Sequence, residues 1–128
     1  MKISLITDLL FVFLILLNAF IDSRLIKKNI WINHTLEVII FSILNIAFIY
    51  FFKLNFIKNC LYIVVARIGL FDFSLNTFRG LNLFYISPNA FTNNPKTSIW
   101  DKILKENANY IRLIFLIIFI IINIKKYG

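Results

Sequence analysis

Four long runs of Ile, Leu and Phe limit what this chain can fold into more than any other feature of it. The runs cover about residues 3–21, 36–52, 57–79 and 110–124. A helix needs about 20 apolar residues to cross the hydrocarbon core of a bilayer, so each run predicts a membrane span. Of the 128 residues, 60% are hydrophobic, whereas a soluble domain holds roughly 45–50%. We therefore expect one all-α domain, an integral membrane helical bundle of about four spans.

The first run has a second interpretation as a cleavable signal peptide. Its positively charged region would consist of Lys2 alone, and residues 17–20 (Leu-Asn-Ala-Phe) form a poor cleavage site. We therefore expect a span that is retained. Ser4, Asp8, Asn18 and Asp22 fall on one arc of this helix. Such a polar stripe is expected to face other helices, because a charge facing lipid is costly.

The second half of the chain contains a further predicted element. After the turn signals at Pro88 and Pro95, residues 98–106 predict a short amphipathic helix lying in the membrane interface. Ser98 and Asp101 match a capping box, and Trp100 belongs to the apolar face. In the third run, Gly80 is expected to end the helix, and Gly69 is expected to be a weak point within it.

Polar residues crowd toward one end of the first three predicted spans, and antiparallel packing would bring these ends to the same side. His34 and Glu37 are spaced i, i+3 along one predicted helix. Asp72, Asn76 and Arg79 are spaced i, i+4, i+7 along the next and share one stripe. We expect a polar cluster made of Asp22, His34, Glu37, Asp72, Asn76 and Arg79. Arg79 is expected to pair with Asp72 or Glu37, while Arg67 lies on another face, as a structural pair or a snorkelling side chain.

The cluster permits several kinds of chemistry, and the residues do not identify a reaction. Three acids, an imidazole and a guanidinium could bind a metal, hold a phosphate headgroup or exchange protons. The metal candidates are Asp22, His34, Glu37 and Asp72. Small membrane bundles also use such groups simply to hold helices together. Whether the protein is an enzyme, and which cofactor it would use, stays open.

The formal net charge of +8 does not predict nucleic-acid binding, because no basic stripe with interleaved aromatic residues is present. Lys and Arg flank the apolar runs instead, where they can meet anionic lipid headgroups. The side with the polar cluster carries more of them and is therefore expected to face the cytoplasm. The lone Cys60 allows no internal disulfide. We expect a multi-pass protein of a bacterial inner membrane.

Short motifs around the cluster resemble a pattern found in small multi-span membrane proteins of Bacteroidota and their phages. They are residues 32–37 (Ile-Asn-His-Thr-Leu-Glu), Phe71-Asp72, Asn76 and Arg79-Gly80-Leu81. The resemblance covers roughly residues 20–105. It implies that the six polar residues act as a unit, and it supplies no reaction.

Three functions follow from these observations. The first is a non-enzymatic membrane protein whose polar cluster organises the bundle or binds lipid or a partner. The second is a membrane-embedded enzyme or metal-binding protein acting on a lipid-like substrate. The third is a phage holin-type pore former. Host lysis on controlled expression would identify the third, and metal analysis with lipid mass spectrometry would separate the first two.

Overall fold

Helices account for the regular structure in the described part of this chain. A computed structural model describes residues 3–30, 33–85 and 107–128. Within these ranges lie four α-helices and no strand: α1 (Ile3–Lys27), α2 (His34–Phe51), α3 (Phe56–Phe78) and α4 (Ala108–Tyr127). The all-α class is confirmed for this part of the chain. The interfacial helix predicted at residues 98–106 lies outside the described residues.

Asparagine side chains cap the N-termini of two of the helices. Asn33 precedes α2, and its Oδ1 accepts a hydrogen bond from Leu36 N at 3.1 Å. Asn55 does the same for α3, accepting from Lys58 N at 3.0 Å. The first amides of a helix have no partner within the helix, and a short polar side chain supplies one. Both asparagines therefore fix where a helix enters the bundle.

Helices α1, α2 and α3 end in the same backbone motif. A residue with positive φ follows each helix, namely Asn29 (56°), Lys53 (52°) and Gly80 (71°). At the end of α3, Leu81 N donates to Asn76 O and Gly80 N donates to Thr77 O. This pair of bonds is the Schellman arrangement, which gives partners to carbonyls that the helix leaves unsatisfied. The prediction that Gly80 ends the helix is confirmed.

Of these three residues, Lys53 loses the most stability through its positive φ, since a long side chain on a Cβ atom is strained in the left-handed region and asparagine and glycine tolerate it better. We expect Lys53→Gly to raise the free energy of unfolding by about 1 kcal/mol. Asn29→Gly should give a smaller gain because asparagine tolerates this conformation better. Chemical unfolding in detergent, followed by circular dichroism, measures both. A loss of stability in the Lys53 variant would contradict the assigned conformation.

The helices form a bundle in which α3 is central. α1 runs parallel to α3, since Asn18 contacts Arg67 and Lys27 reaches the carbonyl of Phe78. α4 runs antiparallel, with Asn123 bonded to Tyr62 near one end of α3. α2 is also antiparallel to α3 and makes far fewer contacts with it than α1 or α4 do. The described parts of α1 and α4 thus bring the two chain ends to one end of the bundle, termed the termini end. The opposite end is termed the loop end.

The apolar interior is small. Among the described residues it consists of two clusters of buried side chains, one around Phe11 and Ile49 and the other around Ile15 and Ala66. Many large apolar side chains lie on the outside, including Phe51 at 78% exposure and Ile57 at 70%. By length and composition α1 (Leu5–Lys27) and α4 could each cross a membrane. A buried helix of a soluble protein or a signal sequence can share these properties.

Gly69 lies where α3 and α4 touch backbone to backbone. A Cβ atom built on Gly69 would lie 2.8 Å from Leu116 N and 2.9 Å from Leu116 Cα. α3 continues through this residue without a break. The expectation of a weak point at Gly69 therefore gives way to a different role, because the missing side chain lets two helices approach closely.

Candidate functional site

Arg67 occupies the centre of a polar group that joins three helices. Its Nη1 donates to Asn18 Oδ1 of α1 at 2.7 Å, and its Nη2 lies 3.6 Å from Glu37 Oε1 of α2. The guanidinium carbon also sits 3.7 Å from the centroid of the Phe71 ring and 4.7 Å from that of Phe41. A cation over an aromatic face is attracted to the ring electrons, more strongly where water is excluded. Charge and ring contacts therefore hold Arg67 in place together.

Asp22 extends this group along α1. Its side chain is only 2% exposed and lies beside the carboxyl group of Glu37, with which it can form a hydrogen bond when one of the two carries a proton. Its Oδ2 atom is buried and has no hydrogen-bond partner among the described residues. We call the set Asn18, Asp22, Glu37, Phe41, Arg67 and Phe71 the Arg67 cluster.

The charges of the Arg67 cluster are unequal. Its two carboxyl groups face a single guanidinium, so full ionisation would leave one negative charge in excess. An uncompensated charge in a desolvated place is costly, and two neighbouring carboxyls commonly share a proton for this reason. Chemically, the arrangement can therefore hold helices together, and it can also take up one proton or one cation.

Asp72 belongs to a neighbouring contact between α3 and α4. Its Oδ2 lies 3.1 Å from Nε of Arg112, whose side chain is buried and only 5% exposed. The negative charge of Asp72 also interacts with the positive charge of Arg67. Arg112 lies near the start of α4, and its side chain is buried because Asp72 offers it a partner across the helix pair.

Asn76 and Arg79 hold the chain segment that follows α3. Nδ2 of Asn76 donates to the carbonyls of Leu83 and Tyr85, each at 3.0 Å. The Arg79 guanidinium carbon lies 5.6 Å from the centroid of the Tyr85 ring. Arg79 was expected beside Asp72 or Glu37, and the structure gives those positions to Arg112 and Arg67. Asn76 and Arg79 therefore shape the turn at the loop end.

The metal candidates come together only in part. Asp22 and Glu37 adjoin, whereas Asp72 pairs with Arg112. His34 begins α2, but its side chain lies outside the described part of the structure. Among the described side chains, no three His, Cys, Asp or Glu residues are placed to hold a metal ion. The metal site stays a prediction.

A second polar group lies at the termini end and contains Asp8, which the sequence placed on the polar arc of the first helix. Lys126 Nζ lies 2.7 Å from Asp8 Oδ2, and the hydroxyl of Tyr127 donates to the same oxygen. Asp8 itself is only 3% exposed. The residues that meet here lie 118 positions apart in the chain, so helical spacing within a single segment could not reveal their pairing.

Comparison with known proteins adds no assignment to this geometry. No protein-family model matches the chain, and neither a curated protein nor a solved structure is detectably similar to it. The resemblance to membrane proteins of Bacteroidota and their phages therefore stays a prediction. Any functional conclusion rests on the residues and their contacts.

Proposed function

We propose that this chain is a multi-pass integral membrane protein in which the Arg67 cluster fastens α2 to α1 and α3 near one leaflet. The observation that carries the proposal is the inverted distribution of side chains. Large apolar residues such as Phe51, Ile57 and Tyr110 are more than two-thirds exposed, whereas Asp8, Asp22 and Arg112 are buried. Soluble proteins rarely expose extended apolar surfaces, and ionisable groups within membranes face the bundle interior.

The weak packing of α2 supports a structural role for the Arg67 cluster. α2 contacts the rest of the bundle much less than its neighbours do, so few apolar contacts hold it. Ile49 anchors it near the termini end, in one core cluster with Phe11 and Ile63. At the other end, Glu37 and Phe41 both contact Arg67. The two attachment points together fix the position and rotation of α2.

Ligand binding is a second candidate function, and the buried Oδ2 of Asp22 favours it. This atom has no hydrogen-bond partner among the described residues, and a buried acceptor without a donor is costly. The adjoining Glu37 carboxyl adds further acceptor capacity. A proton or a small cation would satisfy both groups. Anionic lipid headgroups remain a separate proposal, for the basic residues Arg24, Lys27 and Lys28 at the loop end.

The proposed topology predicts a definite pattern of chemical accessibility. In a Cys60→Ala background, single cysteines replace Lys28, Lys53, Leu83 or Lys125, all of which are exposed. A membrane-impermeant maleimide is applied to intact cells. Positions 53 and 125 should show the same accessibility as each other, and positions 28 and 83 should both show the opposite accessibility, because the helices alternate in direction. Labelling after membrane disruption is the control for reactivity.

Two outcomes would contradict the proposal. The protein could leave the membrane fraction on washing with alkaline carbonate, which removes peripheral proteins and spares inserted ones. Alternatively, positions 28 and 53 could show the same accessibility in intact cells, which would mean that α2 does not cross the bilayer. The positive-inside rule further predicts that positions 28 and 83 are the protected, cytoplasmic pair.

A further inference from the structure

A cleft lies between α1 and α4 at the termini end, away from the Arg67 cluster. Its volume is about 360 Å³, within the range of sites that bind small molecules. Most of its wall is apolar, formed by Leu5, Leu9, Val12, Phe119, Ile120 and Ile124. An apolar wall favours a hydrocarbon chain as ligand, because the chain loses no hydrogen bond when it leaves water or lipid to contact the wall.

One wall residue of the cleft carries an unsatisfied polar atom. Asp8 lines the cleft and is 3% exposed. Lys126 and Tyr127 both bind its Oδ2 atom. Its Oδ1 atom is buried and has no hydrogen-bond partner among the described residues. Buried carboxylate oxygens normally accept a hydrogen bond, and the described residues supply no donor to this one.

The charges around Asp8 indicate what kind of donor is missing. Asp8 carries one negative charge and Lys126 one positive charge, and the two are in direct contact. An ammonium group would add a second positive charge to an already balanced pair. A hydroxyl group donates a hydrogen bond without changing the balance. The missing donor is therefore neutral.

We propose that this cleft binds a lipid with a free hydroxyl group. Its hydrocarbon chain lies along the apolar wall between α1 and α4, and its hydroxyl donates to Asp8 Oδ1. The site is independent of the Arg67 cluster and goes beyond the proposed function, on which it depends only for the supply of ligand from a bilayer. A failed binding test would leave the result of the carbonate wash unchanged.

A matched pair of photoreactive probes tests the proposal. The protein is reconstituted in vesicles of phosphatidylcholine, which has no hydroxyl group. One probe is a fatty alcohol with a diazirine in its chain, and the other is the methyl ether of the same alcohol. Mass spectrometry of cross-linked peptides should show about tenfold more labelling of α1 and α4 by the alcohol, because a hydrogen bond to a charged group distinguishes the two.

Filling the cleft provides a second measurement. Val12→Phe places a larger side chain in the wall and should reduce labelling by the alcohol to the level of the ether. Val64→Phe is the matched control, since Val64 is exposed on α3 and does not line the cleft. This control should label like the unmodified protein.

Three results would overturn the proposal. Equal labelling by alcohol and ether would mean that Asp8 Oδ1 selects no hydroxyl and that water alone satisfies it. Labelling spread evenly over all lipid-facing helices would mean that the cleft is not a site. Unchanged labelling of a folded Val12→Phe variant would place the probe elsewhere. If that variant does not fold, the comparison of the two probes on the unmodified protein still decides.

Discussion

Arg67→Met is expected to lower the free energy of unfolding by about 3 kcal/mol, because it leaves the buried carboxyl group of Asp22 and the partly buried carboxyl group of Glu37 without their counter-charge. Asp22 and Glu37 would adjoin each other without the charge of Arg67 nearby, and Asn18 Oδ1 would lose its donor. Methionine retains most of the length of the arginine side chain, so packing against Phe41 and Phe71 changes little. Chemical unfolding in detergent, followed by circular dichroism, measures the loss.

Two further variants separate the ion pair from a general effect of losing an arginine. Arg24→Met removes an exposed arginine that also lies over an aromatic ring, Phe20 at 5.1 Å, and it should cost less than about 0.5 kcal/mol. The double variant Arg67→Met, Glu37→Gln removes both charges of the pair and should recover part of the loss. Equal stability of the Arg67 and Arg24 variants would mean that the Arg67 cluster does not hold the bundle together.

The positions of the helices followed from the sequence because apolar runs and end signals agree. The run predicted at 57–79 corresponds to α3 (Phe56–Phe78), bounded by the Asn55 cap and by Gly80. The first run was predicted to end at residue 21, where its apolar composition stops. α1 instead continues to Lys27, because Asp22 and Ser23 are buried inside the bundle and the helix ends only at the left-handed Asn29.

The partners within the candidate site could be predicted only in part. Helical spacing shows which residues share a face, and it correctly grouped Asn18 and Asp22 on one side of α1. It cannot show which helix that side meets. Because α3 is central, it has two buried sides, and Asp72 contacts α4 while Arg67 contacts α1 and α2. Arg67 was therefore set apart from the cluster that it occupies.

Long separation in the sequence explains why the other polar contacts were not predicted. Asp8 and Lys126 come from α1 and α4, the first and last of the described helices, and Asp72 and Arg112 are separated by a long segment that contains the turn signals. No local pattern links such residues, since their approach depends on how the helices pack. The one sequence signal that could have indicated close packing is the isolated Gly69 in an otherwise apolar helix, because small residues let membrane helices approach.

Gly69→Ala is expected to lower the free energy of unfolding by about 2 kcal/mol, through overpacking of the α3–α4 contact. Helix propensity alone predicts the opposite sign, since alanine favours an α-helix over glycine by about 1 kcal/mol. The added methyl carbon would lie 2.8 Å from Leu116 N, closer than non-bonded atoms approach, so the helices must separate. The sign of the change therefore reports directly on the contact between the two backbones.

The atoms that the new methyl group meets decide the best control. They are the backbone N and Cα of Leu116 and the carbonyl carbon of Phe115, so shortening a side chain cannot make room. The double variant Gly69→Ala, Leu116→Ala should consequently show no rescue. Gly80→Ala supplies the contrasting case, because nothing lies within 4 Å of its added Cβ and its cost of about 1 kcal/mol comes from positive φ alone. A Gly69→Ala protein more stable than the unmodified one would mean that α3 and α4 do not cross at this residue.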